Sequence, residues 1–158
     1  MKKHILILTI AYFIVLLAVP IYMIYDYYNI LSSGEVYKVR VTAYDPYDPF
    51  RGRYVAIRPE HNELRWGENS VILIKDGNDF VTRVVNNATG AGSIKNFKLE
   101  RYYMNEKTAP KLEERLLRRN IQENDTVYVT IRVKGGRYVV EGMYINGIAV
   151  EEYIYDES

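Results

Sequence analysis

The sequence predicts an α+β chain: one N-terminal transmembrane helix, then a mainly antiparallel β domain, a partly closed barrel or sandwich-like, with one surface helix. Three observations carry that reading. Residues 5–25, ILILTIAYFIVLLAVPIYMIY, contain no charge and match the ~20 residues a bilayer-spanning helix needs. Beyond them, short runs of alternating apolar and polar residues recur between glycine-bearing turns, the pattern of half-buried strands. Only one later segment, 110–120, has helical spacing.

The helix comes first. Lys2, Lys3 and His4 precede the apolar run and Asp26 follows it, so the positive-inside rule puts the N-terminus in the cytoplasm and the C-terminal part outside. Tyr22, Tyr25, Tyr27 and Tyr28 crowd the outer end, where amphipathic rings favour the headgroup zone. Pro20 is tolerated in such a helix because neighbouring groups re-satisfy the backbone it frees. A cleaved signal is the competing reading, but signals have an apolar core of roughly 7–15 residues before a small-residue cleavage site. Here Ala18-Val19-Pro20 is followed by more bulky residues, which favours a retained anchor. The expected organisation is a cytoplasmic tip and anchor at 1–29, a short linker at 30–35 and an extracytoplasmic β-rich domain at 36–158, single-pass in the cell membrane.

The net charge is +1, and setting aside Lys2, Lys3 and Asp26 leaves the outer part formally neutral. No basic face invites nucleic acid. The chain has no cysteine, so the domain folds without the disulfides an oxidising compartment permits. Roughly 125 residues can do this, burying about two-thirds of the unfolded chain's surface.

The strands follow in order. EVYKVRVTAY sets Tyr37, Val39, Val41 and Ala43 on one side and Val36, Lys38, Arg40 and Thr42 on the other. RYVAIRP is a second strand stopped by Pro59. SVILIKDGNDFVTRVV predicts a hairpin, Val71 to Lys75 with Phe80 to Val85, turning at Asp76-Gly77. DTVYVTIRVKGGRYVVEGMYING predicts another, turning at Gly135-Gly136. The tail, IAVEEYIY, suits an edge strand. Between them, Pro110 fits a helix's first turn. Glu113 and Glu114 near its start and Arg115, Arg118 and Arg119 near its end suit the helix dipole. Its apolar face, Leu112, Leu116 and Leu117, is narrow.

The stretch YDPYDPFRGRYVAIRP, 44–59, asks to be a turn or a site. Each residue before a proline is pushed to extended conformations, and Asp side chains bond nearby amides. Asp45-Pro46 and Asp48-Pro49 therefore make a stiff, twice-bent ribbon, with Gly52 supplying clearance and Arg51 positioned to bridge the two carboxylates. Two carboxylates fall short of the six or more oxygens a hard cation takes. Alternatively Asp45, Asp48, Arg51, Gly52, Arg53 and Tyr54 form a partner-binding edge, since Tyr and Arg concentrate at interface hot spots.

DPYDPFRGRYVAIRP resembles the signature of the GDYXXLXY family of membrane-associated bacterial proteins, in which D-P-x-D-x-x-R-G-D-Y leads into a strand. Asp45, Pro46, Asp48, Arg51, Gly52 and Tyr54 match in spacing. LERYYMNEKTAPKLEE and RYVVEGMYINGIAV, with Gly147 at a turn, resemble later blocks of the family. The chain departs at Arg53, where the signature has Asp, at Ile57 for Leu and at Pro59 for Tyr, which makes it a divergent member. The family has no established activity to carry over. Its members' association with multi-spanning membrane domains implies a membrane complex.

A catalytic reading is weaker. The layout is similar in part to type I signal peptidases, with Ser32 and Ser33 just beyond the anchor, Gly52-Arg53-Tyr54-Val55 near their G-D-x-V, and VTRVV at 81–85. Thr82 stands where those enzymes carry the lysine base, and a serine without an adjacent base is a poor nucleophile. His61 in PEHNEL has no second histidine outside the anchor and is expected to be solvated. Glu60, His61 and Glu63 share one loop, a weak ligand set. Glu113 and Glu114 point apart on a helix. Gly90 and Gly92 read as a flexible loop, and Trp66 as a core cap or a rim residue. No metal or cofactor is expected. Two functions remain: a non-catalytic module working with the bilayer and another membrane protein, or a hydrolase or small-ligand domain, for which Ser70 or Ser93 would have to meet Lys75 or Lys95 in a pocket.

Overall fold

The structure, a computed structural model, describes residues 2–43, 54–64, 70–90, 92–105 and 125–155. Helix α1 runs from Lys2 to Ser33 with Pro20 inside it. The most apolar window of its span Lys3–Ser33 is left wholly uncovered by the rest of the chain. It is long and apolar enough to cross a membrane. Residues 30–35, read from sequence as a spacer, are here the last helical turn and the first residue of β1 (Glu35–Ala43).

The remaining strands are β2 (Tyr54–Pro59), β3 (Val71–Lys75), β4 (Val81–Asn86), β5 (Arg101–Tyr103), β6 (Val127–Lys134), β7 (Arg137–Ile145) and β8 (Ile148–Ala149). Six form a sheet in the order β5-β2-β1-β6-β7-β8, and β3-β4 is a separate hairpin. Every strand pair is antiparallel, as the sequence predicts. β1 pairs with β6 over Glu35–Arg40 and with β2 over Val41–Ala43. Along its first half the other edge receives the tip of the β3-β4 hairpin, where the Lys38 amide donates to the Asp79 carbonyl at 2.8 Å.

The alternation in β1 sorts its faces as expected. Val39 and Val41 are buried, with Val129 and Ile131 of β6 and Met143 and Ile145 of β7 beside them, while Lys38 and Arg40 face outward. The hairpin lays Val71, Leu73 and Val81 onto that inner face, so sheet and hairpin close around one core as half of a barrel. The irregular segment 92–100 seals the open side with Ile94, Phe97 and Leu99, each about 1% exposed.

The turns show how local chemistry sets register. Gly135 and Gly136 both have positive φ, 58° and 75°, the requirement of a two-residue turn whose twist suits a hairpin. The β3-β4 connection differs from the expected Asp-Gly turn. Lys75 pairs with Val81, leaving a five-residue loop in which Asp76 Oδ1 accepts from the amides of Asn78 and Phe80 at 2.9 Å each. Asp79, not Gly77, takes the positive φ, 67°. The tail departs from expectation too. Only Ile148–Ala149 is strand; Val150–Tyr155 is a short helix, α2. Glu151 and Glu152 suit the positive end of its dipole, and Val150 is fully buried. The helix expected at 110–120 lies outside the described residues.

Candidate functional site

Of the stretch singled out in the sequence, Asp45, Asp48, Arg51, Gly52 and Arg53 lie outside the described residues, and of Tyr54 the backbone is placed, opposite Tyr103. Trp66 lies outside as well. What the structure does place is the junction where α1 enters the domain.

That junction is a polar clamp. Lys134 and Arg137 flank the β6-β7 turn, whose two glycines take the positive φ it requires. Lys134 Nζ donates to Asn29 Oδ1 at 2.7 Å and to Ser33 Oγ at 2.5 Å. Arg137 pairs with Asp26. Ile30, between these contacts, is 3% exposed, and the Gly34 amide donates to the Ile30 carbonyl at 2.8 Å. Each exposed contact contributes little, about 0–1 kcal/mol for a surface ion pair. Together with the buried Ile30 they fix the last two turns of α1 against the sheet.

Beside the clamp lies a half-open cavity of about 1030 Å³. Its apolar wall includes Tyr22, Met23 and Ile30 from α1, and its polar wall Lys95, Lys134 and Arg137. Gly90 and Gly92, with φ 124° and 92°, lie at its edge. The Lys95 amide donates to the Gly136 carbonyl at 3.3 Å, tying its segment to the turn.

A second ionic cluster joins the start of β1 to the hairpin. Lys75 Nζ lies 2.8 Å from Asp79 Oδ1, 3.1 Å from Glu35 Oε1 and 2.9 Å from the Val36 carbonyl. It stands 4.8 Å from the centre of the Tyr37 ring, whose hydroxyl donates to Glu35 Oε2 at 3.0 Å. Burial works against the lysine's charge, but the hydrogen bonds to Asp79 and Glu35 outweigh it and raise its pKa. On the outer face of the sheet, Arg40 and Lys38 sit 4.8 and 5.4 Å from the centre of the Phe80 ring. Phe80 meets Tyr128 edge-on at 5.2 Å, and Tyr128 stacks on Tyr144 at 5.4 Å. No sequence motif marks this cation-aromatic stripe; strand register creates it, with Arg40 opposite Tyr128 and Tyr128 opposite Tyr144.

Of the serine and lysine pairings named from sequence, Ser70 with Lys75 separates and Ser93 with Lys95 shares a cavity. Ser70 and Lys75 lie at opposite ends of β3, roughly 17 Å apart at ~3.3 Å per residue. Ser93 and Lys95 do line one cavity, yet the Ser93 hydroxyl donates to the Gly90 carbonyl at 3.0 Å and Lys95 is exposed. Thr82 bonds the Ile74 carbonyl at 3.2 Å. His61, expected to be solvated, is half-buried instead, with Nε2 3.3 Å from the Val81 carbonyl. Among the described residues no three His, Asp or Glu gather as a metal set.

The comparisons with known proteins bear on the same region. The GDYXXLXY protein family matches residues 16–89, from the middle of α1 through β4, so the resemblance read from 45–59 holds. The later blocks, 99–114 and 137–150, lie beyond that match. No curated protein and no solved structure matches the chain.

Proposed function

We propose that this chain, a GDYXXLXY-family protein by the match over residues 16–89, is a membrane-anchored, extracytoplasmic, non-catalytic module that lends its sheet domain to a membrane-protein assembly. One observation supports it above the others: the two parts of α1 are treated oppositely. Residues 5–25 are left bare by the chain, whereas Asp26, Asn29, Ile30 and Ser33 are fastened to the sheet. A bare apolar surface of that extent calls for lipid or another helix. The fastening holds the domain at one height and orientation, a useful property in a subunit that must meet a partner in register. Lys2 and Lys3 put the N-terminus in the cytoplasm. The partner's contacts fall on the cation-aromatic stripe and on the edge of Asp45, Asp48, Arg51, Gly52, Arg53 and Tyr54, both rich in hot-spot residue types.

Crosslinking in native membranes followed by pull-down tests the assembly: adducts holding a second membrane protein are expected, and recovery of the monomer alone overturns the reading. Because the chain has no cysteine, Ser158→Cys gives a single label for topology. A membrane-impermeant thiol reagent should reach it from outside the cell; labelling only from inside overturns the orientation.

One contact favours a second reading, a serine hydrolase: Ser33 Oγ lies 2.5 Å from Lys134 Nζ. The bonding argues against it. The Ser33 hydroxyl donates to the Asn29 carbonyl at 2.7 Å while Lys134 also donates to Asn29 Oδ1, which makes the pair a helix-end clamp. A serine-reactive fluorophosphonate should leave the protein unlabelled, and labelling abolished by Ser33→Ala would establish the hydrolase instead.

A further inference from the structure

We propose that the cavity at the foot of α1 binds the phosphate-bearing headgroup of an anionic phospholipid. The inference rests on α1 being a retained membrane anchor. Its first support is height. The uncharged run ends at Tyr25, so the last eight residues of α1 rise ~12 Å beyond the hydrocarbon at ~1.5 Å per residue. Cavity residues Asp26, Tyr27 and Ile30 therefore stand at headgroup level, with Tyr22 and Met23 at the edge of the hydrocarbon.

The second support is charge. Five charged side chains line the cavity: Asp26, Glu35, Lys95, Lys134 and Arg137. Asp26 is engaged by Arg137 and Glu35 by Lys75. Lys134 bonds only the neutral Asn29 and Ser33, and Lys95 has no side-chain partner among the described residues. Two cations without an acidic partner thus face a cleft open to the membrane surface. The third support is the opposite wall. Tyr22, Met23 and Ile30 are apolar and continuous with the lipid-facing surface of α1, so a phospholipid can keep its glycerol and upper acyl carbons against them while its phosphate meets the lysines. A free phosphate shares the oxyanion but makes no use of that wall, which is why the lipid is favoured.

The test uses the full-length chain, extracted in neutral detergent, delipidated and examined by native mass spectrometry. Phosphatidylglycerol should bind one per chain and be preferred over phosphatidylethanolamine roughly 30-fold, about fivefold for each of two lysines near an anionic group. Lys95→Gln should reduce phosphatidylglycerol binding about fivefold, with Lys95→Arg restoring it. Lys95 is exposed and its side chain has no hydrogen bond or ion pair among the described residues, so both variants are expected to melt like the wild type. Equal binding of the two lipids, or no effect of Lys95→Gln, overturns the site. Millimolar inorganic phosphate that displaces phosphatidylglycerol and itself binds overturns the lipid as ligand. Intact mass separates the two readings: a chain recovered trimmed near Ala18 defeats the anchor and the lipid site together, whereas an 18.5 kDa chain without lipid preference defeats the lipid site alone.

Discussion

Gly34→Ala tests whether the helix and sheet are one rigid body. A Cβ at residue 34 would lie 2.4 Å from the Ile30 carbonyl oxygen, a distance real Cβ atoms do not reach. The oxygen cannot withdraw freely, because the Gly34 amide holds it at 2.8 Å. Nor can residue 34 retreat, since Arg132 Cβ and Val133 N both wait at 3.2 Å. Relief therefore requires shifting the last turn of α1 or the first pair of β1 with β6. Overpacking of this kind costs ~1–3 kcal/mol, and weakening the 34–30 hydrogen bond adds ~0.5–1.5 kcal/mol. A total of roughly 1.5–4.5 kcal/mol corresponds to a Tm lowered by about 6–18 °C in a domain of this size. Thermal unfolding of the full-length protein in detergent micelles, followed by near-ultraviolet circular dichroism, reads it. Gly77→Ala is the control: nothing lies within 4 Å of its Cβ, so its stability should stay within ~0.5 kcal/mol of the wild type or rise slightly. A Gly34→Ala protein melting within about 2 °C of the wild type would refute the claim that helix and sheet are pinned there.

Three further outcomes follow from named contacts. Tyr102 is buried and donates to Glu151 Oε1 at 2.7 Å; burial first and that bond second push its pKa well above the ordinary value. Its protonated form thus favours the folded state, a contribution fully present below about pH 10 and lost as pH rises above it, by at most ~1.4 kcal/mol per pH unit. Tyr102→Phe should lower Tm at pH 8, yet show a shallower fall between pH 9.5 and 11; an unchanged slope would contradict the assignment. Lys75→Met removes the cation that Asp79, Glu35 and the Val36 carbonyl share, so a modest loss of ~0.5–1.5 kcal/mol and faster hydrogen exchange in 71–86 are expected, against which exchange identical to the wild type would count. Gly52→Val distinguishes a turn from a site in the Asp-Pro stretch: loss of folded protein marks the turn, and a folded chain that no longer crosslinks to a partner marks the edge.

Much of the fold was legible because its signals are local. Alternation alone placed Val39 and Val41 inside and Lys38 and Arg40 outside, and Gly135-Gly136 announced its hairpin because few other residues accept that backbone. The misreadings arise where a distant group decides. Residues 30–35 look like a tether until Lys134, about a hundred residues away, is seen bonded to Asn29 and Ser33. The tail has strand composition, but buried Val150 and the Tyr102–Glu151 bond hold it as a helical turn. Phe97 and Leu99 enter the core from a segment with no period to detect. The junction cavity was illegible for the same reason: its walls come from four separate stretches of chain.

The direct passage from α1 into β1 has a mechanical corollary. On the proposed reading that its apolar portion lies in lipid, the rod would lean when the bilayer thins and straighten when it thickens. A soft tether would absorb that motion, but α1 ends at Ser33 and β1 begins at Glu35. The far rim of the sheet would then sweep through an arc, and a partner docked on the outer face, as proposed, would feel membrane thickness as a change in the angle at which this chain is offered.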